Sequence, residues 1–579
     1  MFFNINKKTN LVIMQITGAL SLLLIPAFLN ILSLEASVYC LFTVFMFVAV
    51  LRIKENLKIS FSIQHSIYTV LIIYGVLSLI WSKNTSRHFM YIFLLATVLA
   101  FSVIMRDYFV ENNSGKFKRR MAYLISVAGI LCAGVNVIYW LIYIVPVAGD
   151  DTFSQGMATA DLLGIFMSLS IACTIFLFKN NSKIKKALIV ISVLMMLFVF
   201  IMTNSVVAWI FSAVLIALTV MKKSTVNTKK YMLFSSGLVI LYFIVILFRL
   251  KNTIEGQAFA DVFKYSFEHI FGAGGGFWSG RETFSCLNYG NKPHIGILPY
   301  LSATAGVIGF ASCILIIIRN IIVFMKLKST ESIINLLLSL TLMFLPFGNS
   351  ITAILLLTGL TVYNESLTDA ELKLTVKNST IKKATICMSV IITLSAYMTV
   401  LSLVKMSAHS AFLKGQYNKS YDLYKTVSML NFTDSESHKM AALSIFKDET
   451  LFERQKNEAV SFINKAIKGD RINIENYDIK AKIYYENEDY ELCVQEYRSI
   501  SAKSAVKDKY NLSLVKALYK IVEENPKGSS ETKRAYEEIV AVSRTTENLD
   551  LRKEINDIAD KAFAYTKGEL SNEREEMVE

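Results

Sequence analysis

Residues 231–249 read YMLFSSGLVILYFIVILFR, and residues 297–318 read ILPYLSATAGVIGFASCILIII. Each is an apolar run close to the roughly 20 residues that a helix needs to cross a bilayer. Between them, Phe271-Gly272-Ala273-Gly274-Gly275-Gly276-Phe277-Trp278-Ser279-Gly280-Arg281 and Lys292-Pro293-His294 break the pattern. Two spans joined by a long polar, glycine-rich segment, 250–296, fix the reading of the chain as a polytopic membrane protein.

Working outward, comparable blocks lie at 11–32, 36–51, 63–81, 89–105, 121–148, 157–178, 187–203, 206–221, 331–346, 350–363 and 384–404. The pair 331–346 and 350–363 reads either as two short spans broken at Pro346-Phe347-Gly348-Asn349 or as one long tilted span. The block 11–32 is long enough to span and lacks a small-residue cleavage site, so it is expected to be a membrane helix and not a leader. The composition agrees: 54% of the chain is hydrophobic and the mean hydropathy is +0.45. That excess lies in residues 1–404, whereas 405–579 are polar and charged. The expected class is all-α, a polytopic transmembrane helical bundle of about 12–13 spans followed by a soluble helical domain over 405–579.

The net charge is +14. The basic residues sit at span ends and not on one face of a soluble domain, which argues against a nucleic-acid partner. Alternate loops carry them: Lys7 and Lys8; Arg52, Lys54 and Lys58; Lys116 to Arg120; Lys183 to Lys186; Lys222 to Lys230; and Arg319 to Lys328. Positive-inside logic places the N-terminus in the cytoplasm and the 250–296 loop outside. The segment 364–383, with Lys373, Lys377, Lys382 and Lys383, is expected in the cytoplasm. Two short spans before it would put 405–579 outside; one tilted span would keep that domain inside. Residues 52–62 mix charge with apolar side chains and read as an interfacial segment on the inner leaflet. The seven cysteines share no metal-type spacing and read as small buried hydrophobes.

The C-terminal part carries a repeat. Ala459 in EAVSFINKA and Cys493 in LCVQEYRSI lie 34 residues apart, the tetratricopeptide period. Residues 476–490 supply a preceding helix and turn, with Tyr477, Ala481, Tyr484, Cys493 and Tyr497 at aromatic and small positions. Gly415 to Tyr424 reads as another turn and helix. Stacked helix pairs of this kind offer a concave binding surface.

Chemistry is expected in the 250–296 loop. His294 follows Pro293 at the mouth of a span. It reads either as an interfacial polar residue or as a general base, since imidazole takes a proton near neutral pH. Gly272 to Gly276 lack the Lys-Ser/Thr of a nucleotide loop. They read as a turn or as backbone N–H groups presented to an anion. Arg249, Lys251, Arg281 and Lys292 are the cations of this region. Arg249 and Lys251 at a span end also suit headgroup contact, whereas Arg281 lies mid-loop and suits phosphate. Arg87 and His88, at the start of another span, are candidates for the same site. Asp161 is an acid near the start of a span, a functional candidate by default.

Three local matches resemble the O-antigen ligase and O-antigen polymerase superfamily. Residues 263–277, FKYSFEHIFGAGGGF, are similar to its amphipathic run ending in a glycine-rich turn and an aromatic. His294 with the downstream Gly306-Val307-Ile308-Gly309 is similar to its histidine and Gly-x-x-Gly. Thr203-Asn204-Ser205 resembles its threonine/serine junction. The chain departs from the family at Ile295 after the histidine, at Val206 where an arginine is usual, and at Ile270 where a proline is usual. The resemblance implies glycosyl transfer from an undecaprenyl-pyrophosphate-linked glycan, without metal or cofactor, on the outer face of a bacterial cytoplasmic membrane. His294 would deprotonate the acceptor hydroxyl, and Arg281, with Arg249, would hold the departing pyrophosphate. Lys251, Gly274, Gly275, Gly276, Lys292 and Arg87 are the substrate-binding candidates around them. The implied partners are the lipid-linked glycan, the bilayer and an envelope-assembly protein at the repeat domain. A transporter or flippase of a lipid-linked glycan and a non-enzymatic scaffold are the competing classes. Mid-span charges and internal span repeats would favour the transporter, and thirteen candidate spans exceed what a scaffold's anchor needs.

Overall fold

The computed structural model describes residues 34–55, 58–82, 85–111, 114–141, 160–177, 183–223, 228–251, 253–274, 296–345, 358, 361, 372–375, 378–471, 473–503 and 508–566. These residues are helical almost throughout and divide into two compact units, the first ending at Leu403 and the second running from Val404.

The first unit holds α1 (Leu34–Glu55), α2 (Ile63–Ser78), α3 (Thr85–Glu111), α4 (Ser114–Tyr139), α5 (Ala160–Leu177) and α6 (Lys183–Met202). It continues with α7 (Val206–Lys223), α8 (Thr228–Lys251), the amphipathic α9 (Ile254–Glu268), α10 (Ile297–Leu327), α11 (Thr330–Phe344) and most of α12 (Asn378–Leu413). Among the described residues five helices are long and apolar enough to cross a membrane: His88–Arg106, Ala160–Leu177, Lys230–Lys251, Ile297–Leu327 and Ile386–Leu413. Six shorter apolar helices match the expected blocks at 36–51, 63–81, 121–148, 187–203, 206–221 and 331–346. The expected spans 11–32 and 350–363 lie outside the described residues, apart from Thr358 and Thr361.

The outer surface of this unit is apolar: Leu233, Phe248 and Ile216 are 78%, 69% and 65% exposed. Polar side chains turn inward instead and tie helices together, as expected where lipid offers them no partner. Asn320 Nδ2 donates to Ser339 Oγ at 2.6 Å, Asn335 Nδ2 to Asn320 Oδ1 at 3.0 Å, and Thr361 Oγ1 to Asn335 Oδ1 at 3.0 Å. Close packing supplies the rest. A Cβ on Gly164 would lie 2.5 Å from Ala208 Cβ, so only glycine lets α5 meet α7 there.

The all-α expectation holds, with one short exception to helix. Lys58–Phe61 (β1) pairs antiparallel with Leu372–Thr375 (β2), with Lys58 opposite Thr375 and Phe61 opposite Leu372. Part of the stretch expected as an interfacial segment over 52–62 is therefore a strand. Both sequences, KISF and LKLT, alternate polar with apolar residues, the two-residue period of a strand.

The second unit begins on the last turns of α12. Eight more helices follow: α13 (Tyr417–Leu430), α14 (Ser435–Lys447), α15 (Glu449–Gly469), α16 (Ile474–Glu486), α17 (Tyr490–Lys503), α18 (Asp508–Glu524), α19 (Ser530–Thr545) and α20 (Leu549–Thr566). Side-chain caps mark their starts: Asp434 accepts from Ser437 N, Asp448 from Leu451 N and Ser529 from Thr532 N. Successive helices pack on one another, and the small residues at the expected repeat positions, Ala459, Ala481 and Cys493, are fully buried. Tyr497 is buried among them, and Tyr477 and Tyr484 pack at the edge of the same core.

Candidate functional site

Of the residues singled out in the sequence, Arg281, Lys292, His294, Gly275 and Gly276 lie outside the described residues, as does the side chain of Arg87. Gly274, Arg249 and Lys251 are described, and each belongs to a constellation that the sequence did not spell out.

The first is a crossing of two backbones. α10 is broken at Gly306, whose φ of 58° and ψ of −139° no residue with a side chain adopts readily. Such a break frees hydrogen-bonding groups, which is costly away from water. Here the segment after α9 takes them up. Val307 N donates to Ile270 O at 3.0 Å, Ala273 N to Ala303 O at 2.8 Å, and Gly274 N to Thr304 O at 3.1 Å. Tyr74 Oη, from α2, donates to Phe271 O at 2.5 Å and pins the same strap from its other side. Gly272 and Gly274 both have positive φ, 70° and 79°. A Cβ on Gly306 would lie 1.9 Å from Ile270 O, and one on Gly272 2.5 Å from Thr304 O. The N–H of Gly274 is thus engaged by protein, which favours the turn reading at that position over an anion cradle.

The second constellation joins three helix ends. Ser205 caps α7, accepting from Ala208 N at 3.1 Å, and its hydroxyl donates to Asp161 Oδ1 at 2.5 Å. Arg249, in the last turn of α8, brings Nε to 3.7 Å from Asp161 Oδ2. The carboxylate is 9% exposed while the guanidinium is 45% exposed. Asn204 sits at a positive φ of 45°, which turns the chain sharply from α6 into α7 and aims Ser205 at α5. Chemically this is a carboxylate fixed by a hydroxyl beside a half-exposed arginine, whose charge a second anion could share. Lys251 stands exposed two residues beyond.

His88 behaves differently from the expectation that it joins a site. It is fully buried, its Nε2 lies 2.7 Å from Gly75 O and 3.2 Å from Ser78 Oγ, and it bridges α2 to α3. Sequence reasoning also passed over Arg106, which is 1% exposed near the C-terminal end of α3, and His65, fully buried on α2. Arg106 lies just past the apolar block 89–105, where a charge ordinarily marks a span end, and nothing local marks it as buried. Among the described residues no three His, Cys, Asp or Glu side chains converge to hold a metal ion.

The chain matches no protein-family model and no curated protein.

Proposed function

We propose that the chain is a membrane glycosyltransferase of the O-antigen ligase or polymerase type, acting on an undecaprenyl-pyrophosphate-linked oligosaccharide. The observation that carries this reading is the crossing at Gly306. Two of the three motifs behind the resemblance, the glycine-rich turn and Gly306-Val307-Ile308-Gly309, meet there backbone to backbone. The third, Thr203-Asn204-Ser205, binds Asp161, which in turn holds Arg249. The strap leads directly into the loop that carries Arg281 and His294.

In this reading His294 takes the proton of the acceptor hydroxyl as its oxygen attacks the anomeric carbon of the donor sugar. The bond from that carbon to the pyrophosphate oxygen breaks. Arg281 and Arg249 stabilise the negative charge that the leaving group gains, with Lys251, Lys292, Arg87 and the backbone of Gly275 and Gly276 lining the path of the lipid-linked donor. The chemistry uses neither metal nor cofactor.

Loop charge and the ladder both support one sidedness. β1 and β2 share hydrogen bonds and so lie on one side of the membrane, the side of the lysine-rich loops. Counting crossings from β1, the chain stands on that side at Lys328, leaves through α11, and must return before β2. This supports two crossings between 330 and 371. α12 then delivers 405–579 to the same side as the 250–296 loop, outside a bacterial cytoplasmic membrane. There the helical domain, read as tetratricopeptide-like, is placed to meet glycan or an envelope-assembly protein.

A flippase for the lipid-linked glycan is the second reading, favoured by the break in α10, since discontinuous helices line substrate paths in transporters. One experiment separates them: polymer length and lipid-linked intermediates in a deletion strain carrying wild type or His294→Ala at matched abundance. The enzyme reading expects polymer to vanish and lipid-linked units to build up on the outer face. Normal polymer would refute the role of His294. Units retained on the inner face would favour transport.

A further inference from the structure

We propose that a polar cleft within the second unit, between the kink of α15 and the turn from α16 to α17, binds a saccharide through its hydroxyls. The cleft has a volume of about 530 Å³ and is lined by residues 453–458 with Asn487 and Asp489. Small-ligand sites ordinarily have that size, roughly 300–1,000 Å³, but are mostly apolar. Here every lining side chain is an ion or a carboxamide. A ligand that suits such walls must carry hydrogen-bonding groups on most of its sides, as a sugar does and a lipid tail does not.

The sequence builds both walls locally. An unbroken helix spreads six consecutive residues over more than a full turn. α15 is interrupted at Gln455, whose φ of −133° and ψ of 29° are not helical, and the break lets 453–458 border one space. On the other wall Glu488 holds a φ of 65°, uncommon for a residue with a side chain. Asn487 N donates to Ile483 O at 3.1 Å and Asp489 N to Tyr484 O at 2.9 Å, which fixes the turn that brings both residues to the cleft.

The bonding groups indicate the kind of ligand. Gln455 Oε1 and Asn487 Oδ1 are buried and accept from no donor, a costly state for an amide oxygen. The last torsion of a carboxamide is soft, so each group can turn to offer its oxygen and N–H to neighbouring hydroxyls. Arg454 and Asp489, both exposed, add a donor and an acceptor at the rim. A divalent cation is the other partner that oxygen-rich sites take. The acids argue against it. Glu453 is engaged by Lys456 at 3.1 Å and Glu458 by Lys425 at 2.9 Å, and among the described residues no three acids converge.

The inference rests on the glycosyltransferase reading only for the choice of saccharide. The probe is a fluorescein-labelled mixture of oligosaccharides released by mild acid from the cell's own surface polysaccharide. It is titrated with the full chain in lipid nanodiscs and followed by fluorescence polarisation. The variants are Gln455→Leu and Asn487→Leu, singly and together. Each removes an unpaired acceptor, so thermal stability should hold or rise. A purely structural role leaves binding unchanged, whereas the inference expects the double variant to bind about tenfold more weakly or worse. Should these variants fail to fold, Asp489→Ala, at an exposed position, carries the same comparison. Undiminished binding by the cleft variants, no binding by wild type, or binding that EDTA abolishes and calcium restores would each overturn the inference. Polymer synthesis by wild type separates the two readings. Polymer with undiminished binding by the cleft variants sinks this inference alone, and binding through the cleft without polymer sinks the enzyme reading alone.

Discussion

Gly306→Ala is the sharpest perturbation of the membrane unit. The new methyl would stand 1.9 Å from Ile270 O, 2.6 Å from the carbon of that carbonyl and 2.7 Å from Gly272 N, where ordinary Cβ contacts stay beyond 3.0 Å. All three neighbours are backbone, so no flexible side chain can yield. If the chain holds its geometry, alanine must bear a backbone conformation costing about 1–3 kcal/mol and overpacking worth about 1–3 kcal/mol more. If the strap withdraws, Val307 N, Ala303 O and Thr304 O lose their partners. Each such bond has a net worth of about 0.5–1.5 kcal/mol, and a buried group left unpaired costs more. Either route removes about 2–6 kcal/mol. Gly134→Ala is the control, since that position is helical and has open space around it. Alanine there should be neutral or stabilise by up to about 1 kcal/mol. The assay is thermal unfolding of detergent-solubilised protein, with membrane abundance alongside. Gly306→Ala should unfold well below wild type and Gly134→Ala at or above it. Equal stability of the two variants would refute the crossing as the element that holds the broken helix together.

Further outcomes follow from single contacts. Arg249→Lys keeps a charge but loses the planar fork, so on the proposed glycosyltransferase reading transfer should fall about 100-fold at unchanged abundance; unchanged transfer would remove Arg249 from the site. Lys405→Met strands the buried carboxylate of Asp434 and should destabilise the second unit by about 3 kcal/mol, measured by denaturant unfolding; no loss would mean that the Ser437 hydroxyl and N–H alone satisfy Asp434. Burial holds the His438 imidazole below its ordinary value of 6.5. Below that pH the unfolded chain takes a proton that the folded one resists, so stability is full above pH 6.5 and falls as pH drops toward the folded value. His438→Gln should flatten that limb below pH 6.5; a limb unaltered by the substitution would assign it to other groups.

How far the fold is legible depends on the range over which its causes act. The apolar helices are local: each is set by its own run of side chains, and Ala160–Leu177, Lys230–Lys251 and Thr330–Phe344 fall within a few residues of the blocks read from sequence. The ladder is not local. KISF and LKLT are each too short to announce a strand, and their pairing depends on the whole bundle bringing two distant loops to one edge. Asp161 stands out in the sequence as a candidate by its residue type, but its link to Ser205 and Arg249 needs three helix ends to converge. Gly306 lies between these cases. A lone glycine in a span is ordinarily tolerated within the helix, so its position alone says little. What makes a break affordable in lipid is a second segment able to engage the freed carbonyls and N–H groups. Gly272 and Gly274 allow the strap to come that close, and Ile270 supplies the acceptor. The three glycines therefore form one requirement: replacing any one with a residue that has a side chain removes the reason for the other two. In the sequence they read as two separate motifs, a loop and a span; in the structure they are two halves of one crossing.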